Sequence, residues 1–240
     1  MEINILHLYY DLLNFYGEDG NIKALKKQLE EQGIKVNISF KTINDDIDFN
    51  EYDFLFIGPG EINNNIYNHL FKYKNDLKNF IENEKFMLVV GNSVNIFGKT
   101  ITTKQNKYKG LNIFDFCVYE EDFLITDDCL FNMNLIDTKI IGYKNQNYTI
   151  KNNSNNLFEV LIGTGFYPKS DYEGIKYKNF YGTYLLGPIL IKNPNLLTYF
   201  VNEIIKNKDK NFKLKKINLY FETKAYNNNI DLITKETVKN

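Results

Sequence analysis

The chain consists of short apolar runs that alternate with segments in which apolar residues recur at helical spacing. Phe54–Ile57 and Phe86–Val90 are apolar without alternation, which is typical of strands buried on both faces of a parallel sheet. Between these two runs a single helical stripe is formed by Ile66, Leu70, Tyr73, Leu77 and Phe80. This order of strand, helix and strand predicts an α/β fold with a mainly parallel central sheet flanked by helices.

The N-terminal part of the chain follows the same plan. Residues 3–9 are predicted as the first strand, and residues 21–32 as an amphipathic helix that ends before Gly33, a residue type favoured after helix C-termini. Residues 34–40 alternate between apolar and polar side chains. Because a strand with one wet face is typical of a sheet edge, we expect this strand to lie near the edge.

The middle of the chain, residues 99–162, has frequent turn residues and no helical spacing. Short strands are predicted at residues 124–126, 139–141 and 158–162, which indicates a more antiparallel region. The asparagine-rich residues 152–156 are interpreted as a hairpin loop.

Residues 181–186 predict a further buried strand, and a helix is predicted to begin near Pro194. Together these elements complete a predicted domain of residues 1–208. The remaining residues, 209–240, are predicted to form a basic C-terminal extension, because lysines cluster around its start at Lys208, Lys210, Lys213, Lys215 and Lys216. A lysine run is usually a solvated surface, so we expect this extension to fold against the domain rather than to bind an acidic partner.

Composition excludes several classes of partner. The 240 residues are 43% hydrophobic and 25% charged, as in a soluble globular protein, and the net charge is −1. Such a chain has no field that gathers nucleic acid or an anionic membrane surface. Cys117 and Cys129 match neither a disulfide framework nor a zinc-binding spacing, and the N-terminus has no signal-peptide pattern. We therefore expect a cytoplasmic protein with no nucleic-acid or membrane partner, no metal and no cofactor.

The most informative segment follows the second buried strand. Gly91, Asn92 and Ser93 form a predicted turn between that strand and a helix. Such an elbow lifts one side chain above the sheet edge beside a helix N-terminus, where α/β enzymes place nucleophiles. The Gly58-Pro59-Gly60 turn ends the first buried strand at the same edge. We expect a substrate pocket formed by Gly58, Gly60, Asn92 and Ser93.

Several motifs resemble one protein family. They read HLYYDLLNFYGEDGNI at residues 7–22, FIGPG at 56–60, YKN at 177–179, GTYLLGP at 182–188 and KNP at 192–194. In these motifs the chain resembles the glutamine amidotransferase subunit of lipid II isoglutaminyl synthases, in the cobyric-acid-synthase-like branch of class I glutamine amidotransferases. The resemblance implies a flavodoxin-like amidotransferase domain over residues 1–208.

Members of this family hydrolyse glutamine with a cysteine at the elbow and a histidine directly before the Gly-Pro pair. The thiolate attacks the side-chain amide, the histidine transfers protons, and backbone N–H groups hold the oxyanion. The resemblance places these positions at Gly91 and Leu186, neither of which can carry out that chemistry. Asn92 and Ser93 stand where the family usually has two glycines, so they are expected to crowd the oxyanion hole. The chain is therefore predicted to be a degenerate subunit, a pseudoenzyme with no intact catalytic residues.

In the family this subunit pairs with a Mur-ligase-like, ATP-dependent subunit that amidates the peptidoglycan precursor lipid II, converting D-glutamate to D-isoglutamine. The resemblance implies that partner, and glutamine as a ligand. Three alternatives stay open: an active amidotransferase with other catalytic residues, a nucleophile shifted to Ser93, and a non-catalytic small-molecule binding module. His7 is expected to be a hydrogen-bonded structural residue, and His69 to face solvent.

Overall fold

The structure is a computed structural model that describes residues 1–237, and for residues 236 and 237 it describes the backbone alone. The described strands are β1 (Glu2–Leu8), β2 (Lys35–Lys41), β3 (Phe54–Ile57), β4 (Phe86–Val90), β5 (Thr100–Thr102), β6 (Lys107–Lys109), β7 (Cys117–Met133), β8 (Thr138–Lys151), β9 (Asn156–Ile162), β10 (Tyr172–Tyr177) and β11 (Phe180–Thr183). The described α-helices are α1 (Asp19–Glu31), α2 (Asn64–Lys72), α3 (Lys74–Glu82), α4 (Ile189–Lys192), α5 (Pro194–Lys208) and α6 (Tyr220–Thr237).

All these strands belong to one mixed sheet with the order β2-β1-β3-β4-β11-β10-β9-β7-β5-β6, in which β8 also pairs with β7. Strands β2, β1, β3, β4 and β11 pair in parallel, whereas β10, β9, β7 and β8 continue the sheet in antiparallel fashion. The predicted parallel centre, the antiparallel middle region and the edge position of β2 are confirmed.

The buried strands supply the core on both faces of the sheet. Every residue of β3 and β4 is buried. Phe54 and Phe56 pack in one hydrophobic cluster with residues of α1 and α5, whereas Leu55 and Ile57 pack in a second cluster with residues of α2 and α3. Successive strand residues point to opposite faces, so a strand covered on both sides is apolar without alternation.

Two predictions about connections are wrong. The helical stripe from residue 66 to residue 80 is not one helix, because Tyr73 leaves the helical conformation (φ −100°, ψ 17°) between α2 and α3. Its hydroxyl accepts a hydrogen bond from the Ile47 backbone N–H at 3.2 Å. Residues 152–156 do not form a hairpin loop, because the β7 residues Leu130, Phe131 and Asn132 pair with both β8 and β9, which therefore lie on opposite sides of β7.

The C-terminal segment packs against the domain. The Gln32 side chain holds the Lys215 backbone through two hydrogen bonds, and α6 then lies over β7 and β8. Tyr226 of α6 is buried with Leu130 and Ile141, and its hydroxyl donates to the Lys139 carbonyl oxygen at 2.6 Å. The last three residues of the predicted extension, 238–240, lie outside the described residues.

Candidate functional site

The structure places Gly91 at a sharp elbow between β4 and a 3-10 stretch, Gly91–Phe97, as the sequence predicts. Its φ of +67° is the left-handed conformation that glycine adopts without strain. A Cβ atom at this position would lie 2.6 Å from Pro59 Cβ and 3.2 Å from Leu186 Cδ2. The elbow therefore has the shape of a nucleophile turn, but a side chain there would require its neighbours to move.

Leu186 follows β11, and its backbone pairs with Tyr143 of β8 while its side chain lies beside the elbow. Its N–H donates to the Tyr143 carbonyl oxygen at 2.7 Å, and its own carbonyl oxygen accepts from the Tyr143 N–H at 3.4 Å. The side chain is 3% exposed. The two positions that the resemblance assigns to cysteine and histidine are thus direct neighbours, although they are far apart in sequence.

The Gly58-Pro59-Gly60 turn faces the elbow, and Asn92 covers part of it. The Asn92 Oδ1 atom accepts from the Gly60 backbone N–H at 3.3 Å, and its Nδ2 donates to the Gly60 carbonyl oxygen at 2.7 Å. Ser93 is buried, and its hydroxyl donates to the Gly58 carbonyl oxygen at 2.6 Å. The Asn92 side chain therefore already accepts the hydrogen bond of the Gly60 N–H, which faces the elbow. The Ser93 side chain is directed to the Gly58 carbonyl.

A cavity of about 280 Å³ opens at the elbow. Of the residues predicted for the site, the cavity lining contains Gly60, Gly91, Asn92 and Leu186, while Gly58 and Ser93 lie outside it. Among the described residues that line it, the only charged one is Glu61, and no lysine is present. The cavity thus offers amide and hydroxyl groups but no cation for a carboxylate.

Sequence reasoning missed much of the opposite wall, which is formed by Tyr16, Asn145, Gln146, Tyr148 and Tyr184. Tyr16 has a φ of 63°, a left-handed conformation that costs a bulky residue energy, and its hydroxyl accepts from Asn145 Nδ2 at 2.9 Å. Tyr16 and Tyr184 lie within the family motifs, so the motifs were a usable signal. The β8 residues carry no such signal.

Glu18 supports the loop that carries Leu186. It is fully buried, its Oε1 accepts from the Gly187 N–H at 2.6 Å, and its Oε2 accepts from Asn21 Nδ2 at 2.7 Å. Burial raises the pKa of Glu18 to about 7, although these two hydrogen bonds and nearby Lys192 act in the opposite direction. Glu18 therefore ties the N-terminal motif to the Gly-Pro turn.

Neither histidine reaches the elbow. His7 is buried among Tyr10, Phe40 and Phe56, and neither of its ring nitrogens has a hydrogen-bond partner among the described residues. Its predicted hydrogen bond is therefore wrong, and burial lowers the pKa of His7 to about 4. The half-buried His69 pairs its Nδ1 with the Tyr9 hydroxyl at 2.8 Å, so it does not simply face solvent.

The cysteines also lie outside the cavity lining. Cys117 is half-buried and Cys129 is buried, and burial raises the pKa of the Cys129 thiol to about 12. Within residues 1–235, no group of three or more histidine, cysteine, aspartate or glutamate side chains is arranged to hold a metal ion. None of the described helices combines the length and apolarity needed to cross a bilayer.

Comparison with solved structures supports the fold. A glutamine amidotransferase from Thermotoga maritima superposes with a TM-score of 0.55 at 10% identity, covering 86% of this chain and 86% of that chain. PurLQS from Thermotoga maritima superposes with a TM-score of 0.51 at 12% identity, covering 87% of this chain and 99% of that chain.

Sequence comparison identifies the family. The CobB/CobQ-like glutamine amidotransferase domain matches residues 4–194. GatD, the lipid II isoglutaminyl synthase (glutamine-hydrolyzing) subunit of Staphylococcus aureus, is 33% identical over 227 residues, which cover 93% of each protein. The GatD subunit of Streptococcus pneumoniae is 30% identical over 213 residues, covering 86% of this chain and 82% of that subunit. This chain therefore belongs to the CobB/CobQ-like glutamine amidotransferase family.

Proposed function

We propose that this chain is a degenerate glutamine amidotransferase subunit that does not hydrolyse glutamine and serves a ligase partner in a structural or regulatory role. The observation that carries the proposal is the contact at the elbow, where Leu186 Cδ2 lies 3.2 Å from the position of a Cβ atom on Gly91. At the position suited to a nucleophile, Gly91 has only a hydrogen atom as its side chain. At the neighbouring position suited to a base, Leu186 has an isobutyl group.

The oxyanion site supports the same proposal. Hydrolysis of an amide places negative charge on the former carbonyl oxygen, and preorganised N–H donors that hold this charge contribute about 10²–10³ in rate. Here the Gly60 N–H is hydrogen-bonded to Asn92 Oδ1 at 3.3 Å. Its use by a substrate would require the Asn92 amide to turn away and to give up its 2.7 Å bond to the Gly60 carbonyl oxygen.

Substrate recognition is also incomplete. The α-carboxylate of glutamine calls for a cation or several N–H donors, but the one charged side chain that lines the cavity within residues 1–235 is the carboxylate of Glu61. A negative wall disfavours an anionic group nearby. The cavity therefore offers the Glu61 carboxylate to the α-ammonium group of glutamine but no charged partner to its α-carboxylate.

The partner is proposed from the relatives. Both GatD proteins are subunits of a lipid II isoglutaminyl synthase by name, and they match this chain over most of its length. We place this chain beside a Mur-ligase-like, ATP-dependent subunit that amidates the D-glutamate of lipid II, with ammonia coming from a source other than this elbow. Purification of the tagged chain from its native cell tests this assignment, because a stand-alone binding module would be recovered without a ligase.

A series of restoring variants tests the missing chemistry. Gly91→Cys alone should release no ammonia from glutamine, since the thiol faces Leu186 rather than a base. Gly91→Cys with Leu186→His should give weak release, and adding Asn92→Gly should raise it by about 10²-fold by freeing the Gly60 N–H. Gly91→Ala with Leu186→His is the matched control, because it adds the Cβ atom and the imidazole without the thiol.

Circular dichroism establishes that each variant is folded before it is assayed. The proposal is contradicted if Gly91→Cys alone is as active as the triple variant, because Leu186 would then not occupy the position of the base. The serine alternative has a separate signature: activity of the unmodified chain that Ser93→Ala abolishes. The buried Ser93 hydroxyl donates to a carbonyl oxygen rather than to a base, which argues against that alternative.

A further inference from the structure

Lys176 of β10 carries an amine that is partly withdrawn from water and has no acidic partner. The residue is half-buried, and within residues 1–235 its Nζ atom makes neither a hydrogen bond nor an ion pair. The Nζ atom is also not one of the enclosed polar atoms that lack a partner, so it reaches the surface. A lysine amine that is desolvated without an anion beside it, yet accessible, is a candidate nucleophile.

The group that faces this amine from the neighbouring strand is aromatic. Lys176 Nζ lies 4.5 Å from the centroid of the Tyr181 ring, which belongs to its cross-strand neighbour on β11. Tyr181 is itself 1% exposed and packs on Phe200 of α5, so water is excluded from that side. A ring face attracts an ammonium group, but it replaces only part of the hydration that burial removes.

This environment favours the neutral amine. Burial lowers the pKa of Lys176 to about 8. Neither Glu159 of β9 nor Glu203 of α5, the carboxylates on the neighbouring elements, acts on Lys176 to oppose that shift. At pH 7.5 about a quarter of the Lys176 side chains are therefore neutral, against about 0.1% for an unperturbed lysine.

Lys176 lines a cavity of about 430 Å³ between β9, β10 and residues 134–135. The cavity has a buried apolar floor and an exposed apolar rim, formed by Leu157 and Phe158 and by Leu135 and Tyr172, respectively. Among the described residues that line it, the one carboxylate is Glu159 and the one cation is Lys176 itself. Once Lys176 reacts as the neutral amine, no cation remains in the lining to hold an anionic reagent.

We infer that Lys176 captures neutral, hydrophobic aldehydes as a Schiff base in this cavity. The Nζ lone pair attacks the carbonyl carbon, and a C–N bond forms as the C=O double bond opens. The two hydrogens of the amine leave with the carbonyl oxygen as water, and a C=N bond remains, so no oxidant or reductant is consumed. The alkyl chain of the aldehyde lies against the apolar floor. This site is separate from the elbow cavity and does not depend on the proposed function.

The test labels the full-length chain with pentanal at pH 7.5 in the presence of cyanoborohydride, which reduces the C=N bond to a stable secondary amine. Peptide mass spectrometry then gives the initial rate of labelling at each lysine. Lys176 should be labelled at least about tenfold faster than Lys107, an exposed lysine of β6. This ratio should fall as the pH rises from 7.5 to 10, because the exposed amine also becomes neutral. With glyoxylate, an anionic aldehyde, the ratio should be at least about threefold smaller than with pentanal.

Two variants at exposed positions distinguish a reactive amine from a merely accessible one. Tyr172→Glu adds a carboxylate at the rim of the cavity and should lower the Lys176 rate with pentanal at least about threefold, since a nearby anion favours the ammonium form. Tyr167→Glu adds the same charge outside the cavity lining and should leave that rate unchanged. The inference is overturned if Lys176 is labelled no faster than Lys107, if the ratio is as large with glyoxylate as with pentanal, or if the two variants give equal Lys176 rates.

Discussion

The pKa values of two buried side chains in the N-terminal motif, Glu18 and His7, are shifted in opposite directions. These shifts predict how the stability of the protein depends on pH. Burial raises the pKa of Glu18 from 4.5 to about 7, and burial lowers the pKa of His7 from 6.5 to about 4. Both side chains are at most 1% exposed. Each difference between folded and unfolded pKa corresponds to about 3 kcal/mol, at about 1.4 kcal/mol per pKa unit.

The signs follow from which state binds the proton. Glu18 holds its proton more tightly in the folded state, so its contribution is fully present below pH 4.5 and is lost as the pH rises through 7. His7 holds its proton less tightly in the folded state, so its contribution is present above pH 6.5 and is lost as the pH falls through 4. Between these limits the folded and unfolded states bind the same number of protons at the two sites together, and the two slopes cancel.

Single substitutions should reveal the pH dependence of stability that each side chain contributes, because the two contributions cancel in the unmodified chain. In Glu18→Gln the free energy of unfolding, relative to the unmodified chain, should rise by about 3 kcal/mol from pH 4 to pH 7, because the His7 contribution is no longer opposed. In His7→Leu it should fall by a similar amount over the same range. Urea unfolding followed by circular dichroism at several pH values measures both differences. Slopes of the same sign in the two variants would refute the reasoning.

Three further substitutions test the packing. Lys144→Met should lower the free energy of unfolding by about 3–5 kcal/mol, because the buried Lys144 ammonium lies 3.8 Å from the equally buried Glu173 carboxylate. Adding Glu173→Gln should recover most of that loss, as measured by urea unfolding. Tyr226→Ala should lower the stability of the contact between α6 and the sheet by about 3 kcal/mol and so release α6. Limited proteolysis should then show faster cleavage within residues 209–219. Tyr220→Ala, at an exposed position of the same helix, should leave the cleavage rate unchanged. Gln28→Met should raise the midpoint of thermal unfolding, gaining about 1–2 kcal/mol, because it removes a buried amide that has no partner within residues 1–235; a lowered midpoint would contradict this.

The parts of the fold that could be predicted are those encoded in adjacent residues. The unbroken apolar runs gave β3 and β4 at their observed bounds, and the alternation in β2 gave its edge position. The break at Tyr73 could not be predicted, because this residue belongs to the apolar stripe whether the helix continues or not. The path after β8 could not be predicted either, because a polar loop is compatible with a hairpin and with a crossover.

At the candidate site, too, features encoded in adjacent residues could be predicted and features that depend on long-range contacts could not. Glycine after a buried strand was sufficient to place the elbow at Gly91, and the motifs placed Leu186 beside it. The wall at Asn145–Tyr148 depends on where β8 runs in the sheet, which is a long-range property. The contact between Asn92 and Gly60 depends on a side-chain rotamer, so the sequence could indicate crowding but not which donor is occupied.

The measurement that tests the central claim most directly is ammonia release from glutamine by the unmodified chain, alone and together with any protein that co-purifies with it. Loss of a nucleophile and its base costs about 10⁶ in turnover, so from a typical rate of about 10 s⁻¹ the expected residual is about 10⁻⁵ s⁻¹, roughly one turnover per day. We predict no release above the buffer blank in either sample. Steady release above about 10⁻² s⁻¹ that persists after substitution of Ser93, Cys117 and Cys129 would contradict the account.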